Sequence, residues 1–183
     1  MGALEMTTGT LGSVDLDPGI RAWVDAVPAF DDGYSRRRAL AALRRRGPEG
    51  VTALARAYRA HDDADALRTS LVQCAAELGT AEAGWLLIEV LDADIHPFAS
   101  VAMETTQRVI ALRGLTPLAS TGDRDAADAI ARAMRHPLSS VRYAAYATVR
   151  SLPDEIQRSA ELRFGLLVLA DEFRDLYEVD AAD

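Results

Sequence analysis

The sequence predicts an all-α chain assembled from tandem helix pairs, and three observations carry that expectation. Alanine and leucine dominate the apolar residues, aromatics make up only 6% of the 183 positions, and β-branched residues rarely cluster. That mix favours helix over strand. One phrase is written twice: HPFASVAMETTQRVIAL, from His96 to Leu112, returns forty residues later as HPLSSVRYAAYATVRSL, from His136 to Leu152, with six of the seventeen positions identical. Fainter copies lie upstream, so units of roughly 30 to 40 residues run from Asp17 to about Pro153, and a period in that range marks an α-α solenoid.

Residues 1–16, MGALEMTTGTLGSVDL, have no basic start and no apolar core. They are expected to form a flexible arm, not a secretory signal, ahead of a single domain over 17–183. The first unit, 17–47, opens on Asp-Pro, a good helix start, and ends on a glycine suited to the position just past a helix. Its second helix puts Ser35, Ala39, Leu43 and Arg46 at four core positions. The second unit, 48–79, puts Leu67, Leu71, Ala75 and Leu78 there. The third, about 80–114, opens with TAEAGWLLIEVLDA, carrying Trp85, Leu86, Ile88 and Leu91, and follows it with Val101, Thr105, Val109 and Leu112. The fourth, about 121–153, opens with DRDAADAIARAMR, carrying Ala126, Ala129, Ile130, Ala133 and Met134, and follows it with Val141, Ala145, Val149 and Leu152. Spacing of i, i+4, i+8, i+11 lines one face of a helix. Ser100 and Ser139 precede their apolar runs, where capping residues belong. The proline after each histidine ends the preceding helix and turns the chain.

The tail, 154–178, is different. Leu162, Leu166, Leu169, Phe173 and Leu176 step by 4, 3, 4, 3, while Phe164, Leu167 and Val168 widen the apolar face. A C-terminal capping helix is expected, because a solenoid leaves its terminal unit exposed. A dimerisation helix is the alternative. Gly165 weighs against one unbroken helix.

These units resemble the HEAT family, specifically short bacterial HEAT-like repeats of the kind also seen in phycobilin lyases. The second helix of such a repeat reads Val-Arg-x-x-Ala, then a small residue and Leu, and SVRYAAYATVRSL is a good match. Arg142 stands at the motif's arginine, and Arg68 and Arg36 fall at the same place; the third unit has Ala102 there. In the family that arginine pairs with an aspartate in the preceding turn. Asp62 sits where that aspartate belongs, Asp31 and Asp32 lie slightly closer, and His96 and His136 take the place in the last two units. The resemblance implies a right-handed α-α superhelix of about four helix pairs with the second helices on the concave side, and most often a protein-binding role.

Composition narrows the function. The net charge of −8 disfavours non-specific binding to nucleic acid or anionic membrane. All twenty basic residues are Arg, as in a G+C-rich, actinobacterial-like coding sequence. Cys74 is the only cysteine and no run of 18 apolar residues exists, so neither an internal disulfide nor a membrane span is expected, and cytoplasmic residence follows as the default. No His-Glu pair, Gly-rich phosphate loop, nucleophile elbow or Cys/His zinc spacing appears. The turns HDDADA (61–66) and DADIH (92–96) carry ligand-type side chains but lack the glycine and distal glutamate of a calcium loop. The expectation is therefore a protein with no catalytic residue, cofactor or metal.

The most distinctive polar feature is the pair of arginine triplets, Arg36–Arg38 and Arg44–Arg46. Residues 21–70 hold ten Arg against seven acids, and residues 71–100 hold five acids and no Arg. Tyr143 and Tyr146 cannot both share the core face with Val141 and Ala145, so at least one is expected at the surface, where tyrosine is a good interface anchor. Arg37, Arg44, Arg68, Arg142, Tyr143 and Tyr146 are the candidate partner-binding residues. The expected role is an adaptor or scaffold gripping another protein on its concave face, a partner that is either basic, to suit a small acidic protein, or carries an acidic segment to meet the Arg cluster, including the special case of a neutralising or regulatory partner. A nucleic-acid or phosphate-ligand binder acting through the Arg-rich N-terminal half is the rival, and an enzyme or lyase with a site hidden in the sequence is third.

Overall fold

The computed structural model describes residues 16–26, 33–61, 65–95 and 100–173, and among them every regular element is a helix. Chain order is α1 (Pro18–Ala26), α2 (Gly33–Arg46), α3 (Pro48–Ala60), α4 (Asp65–Leu78), α5 (Ala81–Asp92), α6 (Val101–Ser120), α7 (Arg124–Ala133), α8 (Ser139–Ser151), the single turn α9 (Asp154–Gln157) and α10 (Ala160–Glu172). The local sequence accounts for several helix ends. The Asp17 carboxylate accepts from the Gly19 amide ahead of Pro18, Thr80 accepts from Ala83, and Asp123 accepts from Ala126, each satisfying an amide the helix leaves unpaired. Gly47 and Gly122 adopt φ of 56° and 93° at the α2–α3 and α6–α7 joints, conformations that residues with a Cβ resist. Ser100 takes the N-cap position of α6 without a side-chain bond, and Leu138 rather than Ser139 is the N-cap of α8. The α7–α8 turn is tied instead by His136, whose Nδ1 accepts from the Leu138 amide at 3.1 Å.

Neighbours in the chain pack as pairs, α1 with α2, α3 with α4, α5 with α6 and α7 with α8. The second members also meet one another in order: α2 packs on α4, α4 on α6 and α6 on α8. α3 packs on α5 and α5 on α7. α1 also reaches α4, where the Trp23 indole N–H donates to the Ser70 carbonyl at 2.9 Å. One hydrophobic core threads all of these layers, with Trp23, Leu43, Leu71, Leu87, Leu112, Ile130 and Leu162 among its fully buried side chains.

Burial matches the expected core positions in α4 and α8. Leu67, Leu71, Ala75 and Leu78 are buried, as are Val141, Ala145, Val149 and Leu152. α2 follows in part, with Ala39 and Leu43 buried and Arg46 exposed. α6 does not follow. Val101 is 59% exposed and Thr105 and Val109 are half-buried. The buried face of α6 carries Glu104, Arg108, Leu112 and Leu115, which stand thirty-seven residues before Val141, Ala145, Val149 and Leu152, not forty. A shift of three residues turns a helix by about 60°. The cause lies at Gly114. A Cβ there would sit 2.7 Å from the Ala76 Cβ on α4 and 2.6 Å from a Leu87 methyl on α5. Only the hydrogen of glycine permits so close an approach, so Gly114 must face α4 and α5, and that contact sets the rotation of α6. The helix also continues through Pro117 to Ser120, past the expected end of the unit, because Leu115 and Ala119 are fully buried and hold the last turn in place.

α10 packs on both α7 and α8. Leu162, Leu169 and Phe173 face inward, and Gly165 leaves room for the Met134 thioether, which a Cβ would run into. Gly165 thus does not interrupt α10; it seats it.

Candidate functional site

The arginine triplets of α2 divide by direction. Arg36 forms an ion pair with Glu77 of α4 and stacks on Trp23, its guanidinium carbon 4.7 Å from the ring centroid. Arg44 donates to the Glu77 carbonyl at 2.7 Å, and so stabilises the negative C-terminal end of α4. Arg46 reaches the Asp17 carboxylate at 2.5 Å. Burial pushes the Asp17 pKa up, but the Arg46 hydrogen bond and the Gly19 amide outweigh it and hold the carboxyl below its usual value. Three of the six arginines are therefore committed to the fold.

Arg37, Arg38 and Arg45 are exposed and make no ion pair or hydrogen bond among the described residues. At 100° per residue they fall, with Ala41 and Tyr34, within an arc of about 100° on the outer side of α2. Tyr34 is 67% exposed. Beside this stripe, between α1 and α2, runs an open groove of about 580 Å³ lined by Pro18, Ala22, Asp25, Ser35, Arg38 and Ala42. The arrangement offers planar cations, an amphipathic ring and a shallow apolar slot side by side.

The other expected site residues are drawn into the structure. The Arg68 guanidinium stacks 4.4 Å over the Tyr58 ring and donates to its hydroxyl at 2.6 Å. Burial raises the Tyr58 phenol above its usual pKa despite that arginine. Arg142 donates to the His136 and Pro137 carbonyls at 2.9 and 3.0 Å and forms a two-pronged ion pair with Glu172 of α10. It binds the α7–α8 turn to the C-terminal helix. Tyr143 and Tyr146 pack on Phe173, with ring centroids 5.3 and 5.8 Å away. Neither is exposed, contrary to expectation: Tyr146 is buried and Tyr143 half-buried, because α10 lies over that part of α8. The six residues do not converge. Arg37 and Arg44 lie on α2, Arg68 on α4, and Arg142, Tyr143 and Tyr146 on α8, with α6 between α4 and α8. Asp31, Asp32, Asp62 and His96, the expected turn partners, lie outside the described residues.

A polar pair that the sequence reading missed sits at the centre of the molecule. Glu104 and Arg108, one turn apart on α6, are 4% and 1% exposed and form a buried ion pair. Arg108 also donates to the Ala93 carbonyl at the end of α5 at 2.8 Å, while its Nε–H has no partner among the described residues. It ties the end of α5 to α6 from inside, as Arg142 ties the α7–α8 turn to α10. The visible signal was a Glu and an Arg at i, i+4; its burial was not visible, since the phrase alignment placed both off the core face. A cavity of about 260 Å³ adjoins the pair, lined also by Tyr58, Arg59, Arg68 and Glu89. His136 has its pKa lowered by burial and by the nearby Arg108 and Arg142 charges.

Cys74 is buried, and desolvation pushes its thiol up to about 12, so it stays protonated near neutral pH and is a poor nucleophile. Among the described residues no group of three or more His, Cys, Asp and Glu side chains is placed to hold a metal ion, and no helix is long and apolar enough to cross a membrane. Comparison with protein-family models, with curated proteins and with solved structures finds no match to this chain.

Proposed function

We propose that this chain is a non-enzymatic interaction module, an α-α superhelix of HEAT-like helix pairs, that grips an acidic segment of a partner protein along α2. The observation that carries this reading is the outward stripe of Arg37, Arg38 and Arg45 beside Tyr34. The fold already uses Arg36, Arg44 and Arg46, whereas these three cations have no structural partner among the described residues. Guanidinium groups match carboxylates in two-pronged geometry, and an exposed tyrosine next to an apolar slot is a fitting anchor. In a chain of net charge −8, a local basic stripe attracts a short acidic segment while the surrounding field repels a long polyanion.

The test is fluorescence anisotropy with a labelled Glu/Asp-rich peptide and, separately, a labelled DNA duplex. The peptide is expected to bind, and Arg37→Glu with Arg45→Glu to weaken it at least about tenfold, since each lost charge-assisted contact is worth roughly 1.5–3 kcal/mol. These two positions are preferable to Arg44, whose loss also exposes the end of α4. Unchanged peptide binding in the double variant overturns the reading. Tight duplex binding that falls steeply with salt would favour the same stripe as a nucleic-acid or phosphate site instead.

A further inference from the structure

We propose that the acidic segment gripped by α2 is residues 174–183 of a second copy of this chain. The inference rests on the reading of α2 given above and names its partner. Residues 174–183, RDLYEVDAAD, lie outside the described residues and follow Phe173 at the C-terminal end of α10. Residues 171–180 hold five acids and one Arg, more acids than any other ten-residue stretch of the chain. Within the tail, Asp175, Glu178 and Asp180 alternate with Leu176, Tyr177 and Val179.

The receiving surface has the complementary make-up. Arg37, Arg38 and Arg45 are exposed and have no ion pair or hydrogen bond among the described residues. Carboxylates are the natural partners of such guanidinium groups. Tyr34 and the apolar slot of about 580 Å³ between α1 and α2 suit Leu176, Tyr177 and Val179. The tail thus supplies both the charge and the apolar groups that this surface recognises. Residues 1–15 carry only Glu5 and Asp15 as acids.

Packing order makes the contact intermolecular. α10 packs on α7 and α8, whereas α2 packs on α1, α3 and α4. The way from α8 to α2 runs through α6 and α4, three helix-to-helix steps of about 8–10 Å each. An extended chain advances at most about 3.6 Å per residue, so Asp175 and Glu178 reach no more than roughly 7 and 18 Å beyond Phe173. Both fall short of α2 in the same chain. A tail on one copy and a stripe on the next are two different surfaces, so the contact is heterologous, and each chain can both give a tail and receive one. At physiological ionic strength charges more than about 8 Å apart are largely screened. The local pairing of tail and stripe therefore drives the contact, and the net charge of −8 keeps it weak and reversible.

Sedimentation velocity from micromolar to near-millimolar concentration tests this. The unaltered chain is expected to form concentration-dependent oligomers. Arg37→Glu with Arg45→Glu should weaken them at least about tenfold, and so should Asp175→Asn, Glu178→Gln and Asp180→Asn together, because each set removes charge-assisted contacts. Each of the two variants keeps one half of the contact. Mixed together, they should therefore restore a one-to-one dimer that grows no further. A monomer at every concentration, oligomers that survive either variant, or variants that do not complement each other overturn the proposal. A labelled peptide of residues 174–183, added to the anisotropy assay, separates this inference from the reading it rests on. If the Glu/Asp-rich peptide binds and the tail peptide does not, the second copy is the wrong partner and the α2 site stands. If neither binds, both fall.

Discussion

α6 and α8 begin from the same written phrase, yet they bury different faces of it. In α8 the matched Val141 and Val149 point into the core beside Ala145 and Leu152. In α6 the matched Val101 is exposed and Val109 half-buried, and a Glu–Arg pair occupies the buried positions that Val141 and Ala145 hold in α8. Identity between the two phrases therefore does not specify how the helix is rotated. In α6 the close approach of Gly114 to Ala76 and Leu87, which leaves no room for a Cβ, requires that face of the helix to meet α4 and α5.

The largest test of this contrast is removal of the polar pair's cation. Arg108→Ala leaves Glu104 charged and buried with no partner and should destabilise the fold by about 3–5 kcal/mol in urea unfolding. Replacing both members with apolar residues, Glu104→Leu with Arg108→Met, makes α6 resemble α8 and should recover most or all of that loss. A double variant as unstable as the single one would show that Arg108 acts chiefly through the Ala93 carbonyl. Next in size is Gly114→Ala. If the close approach sets the rotation of α6, the added methyl should cost about 1–3 kcal/mol through overpacking, although alanine is the better helix former by roughly 1 kcal/mol; a stabilising outcome would refute the close contact. Smallest is the comparison of matched valines. Val149→Ala should cost about 2 kcal/mol for two buried methyls and the space they leave. Val101→Ala should fall within about 0.5 kcal/mol, as for other exposed positions. Equal effects at the two valines would restore the forty-residue register.

The helices were legible because their signal is local. Apolar residues at helical spacing, the Asp-Pro start and the glycine that ends the first unit each act within a few residues, whereas the caps expected at Ser100 and Ser139 form no side-chain bond. The rotation of α6 was not legible, because it depends on a glycine meeting residues on two other helices, Ala76 and Leu87. The arginine triplets were visible as charge, but their division was not. Arg36, Arg44 and Arg46 are committed through Trp23, Glu77 and Asp17, partners up to 41 residues away. Tyr143 and Tyr146 were chosen as surface anchors on the geometry of α8 alone, and the covering ring, Phe173, belongs to another helix. A single helix announces which residues lie on which side of it; what arrives to cover each side is tertiary information.

Cys74, which carries no chemistry of its own here, gives the molecule a built-in clock. It is the chain's only thiol, it is wholly buried on α4, and its high pKa suppresses reaction while it stays inside. A thiol reagent can reach it only when α4 separates from its neighbours, so the rate of labelling reports how often the middle of the stack opens. Followed alongside global unfolding, that rate distinguishes a fold that breathes helix by helix from one that opens all at once.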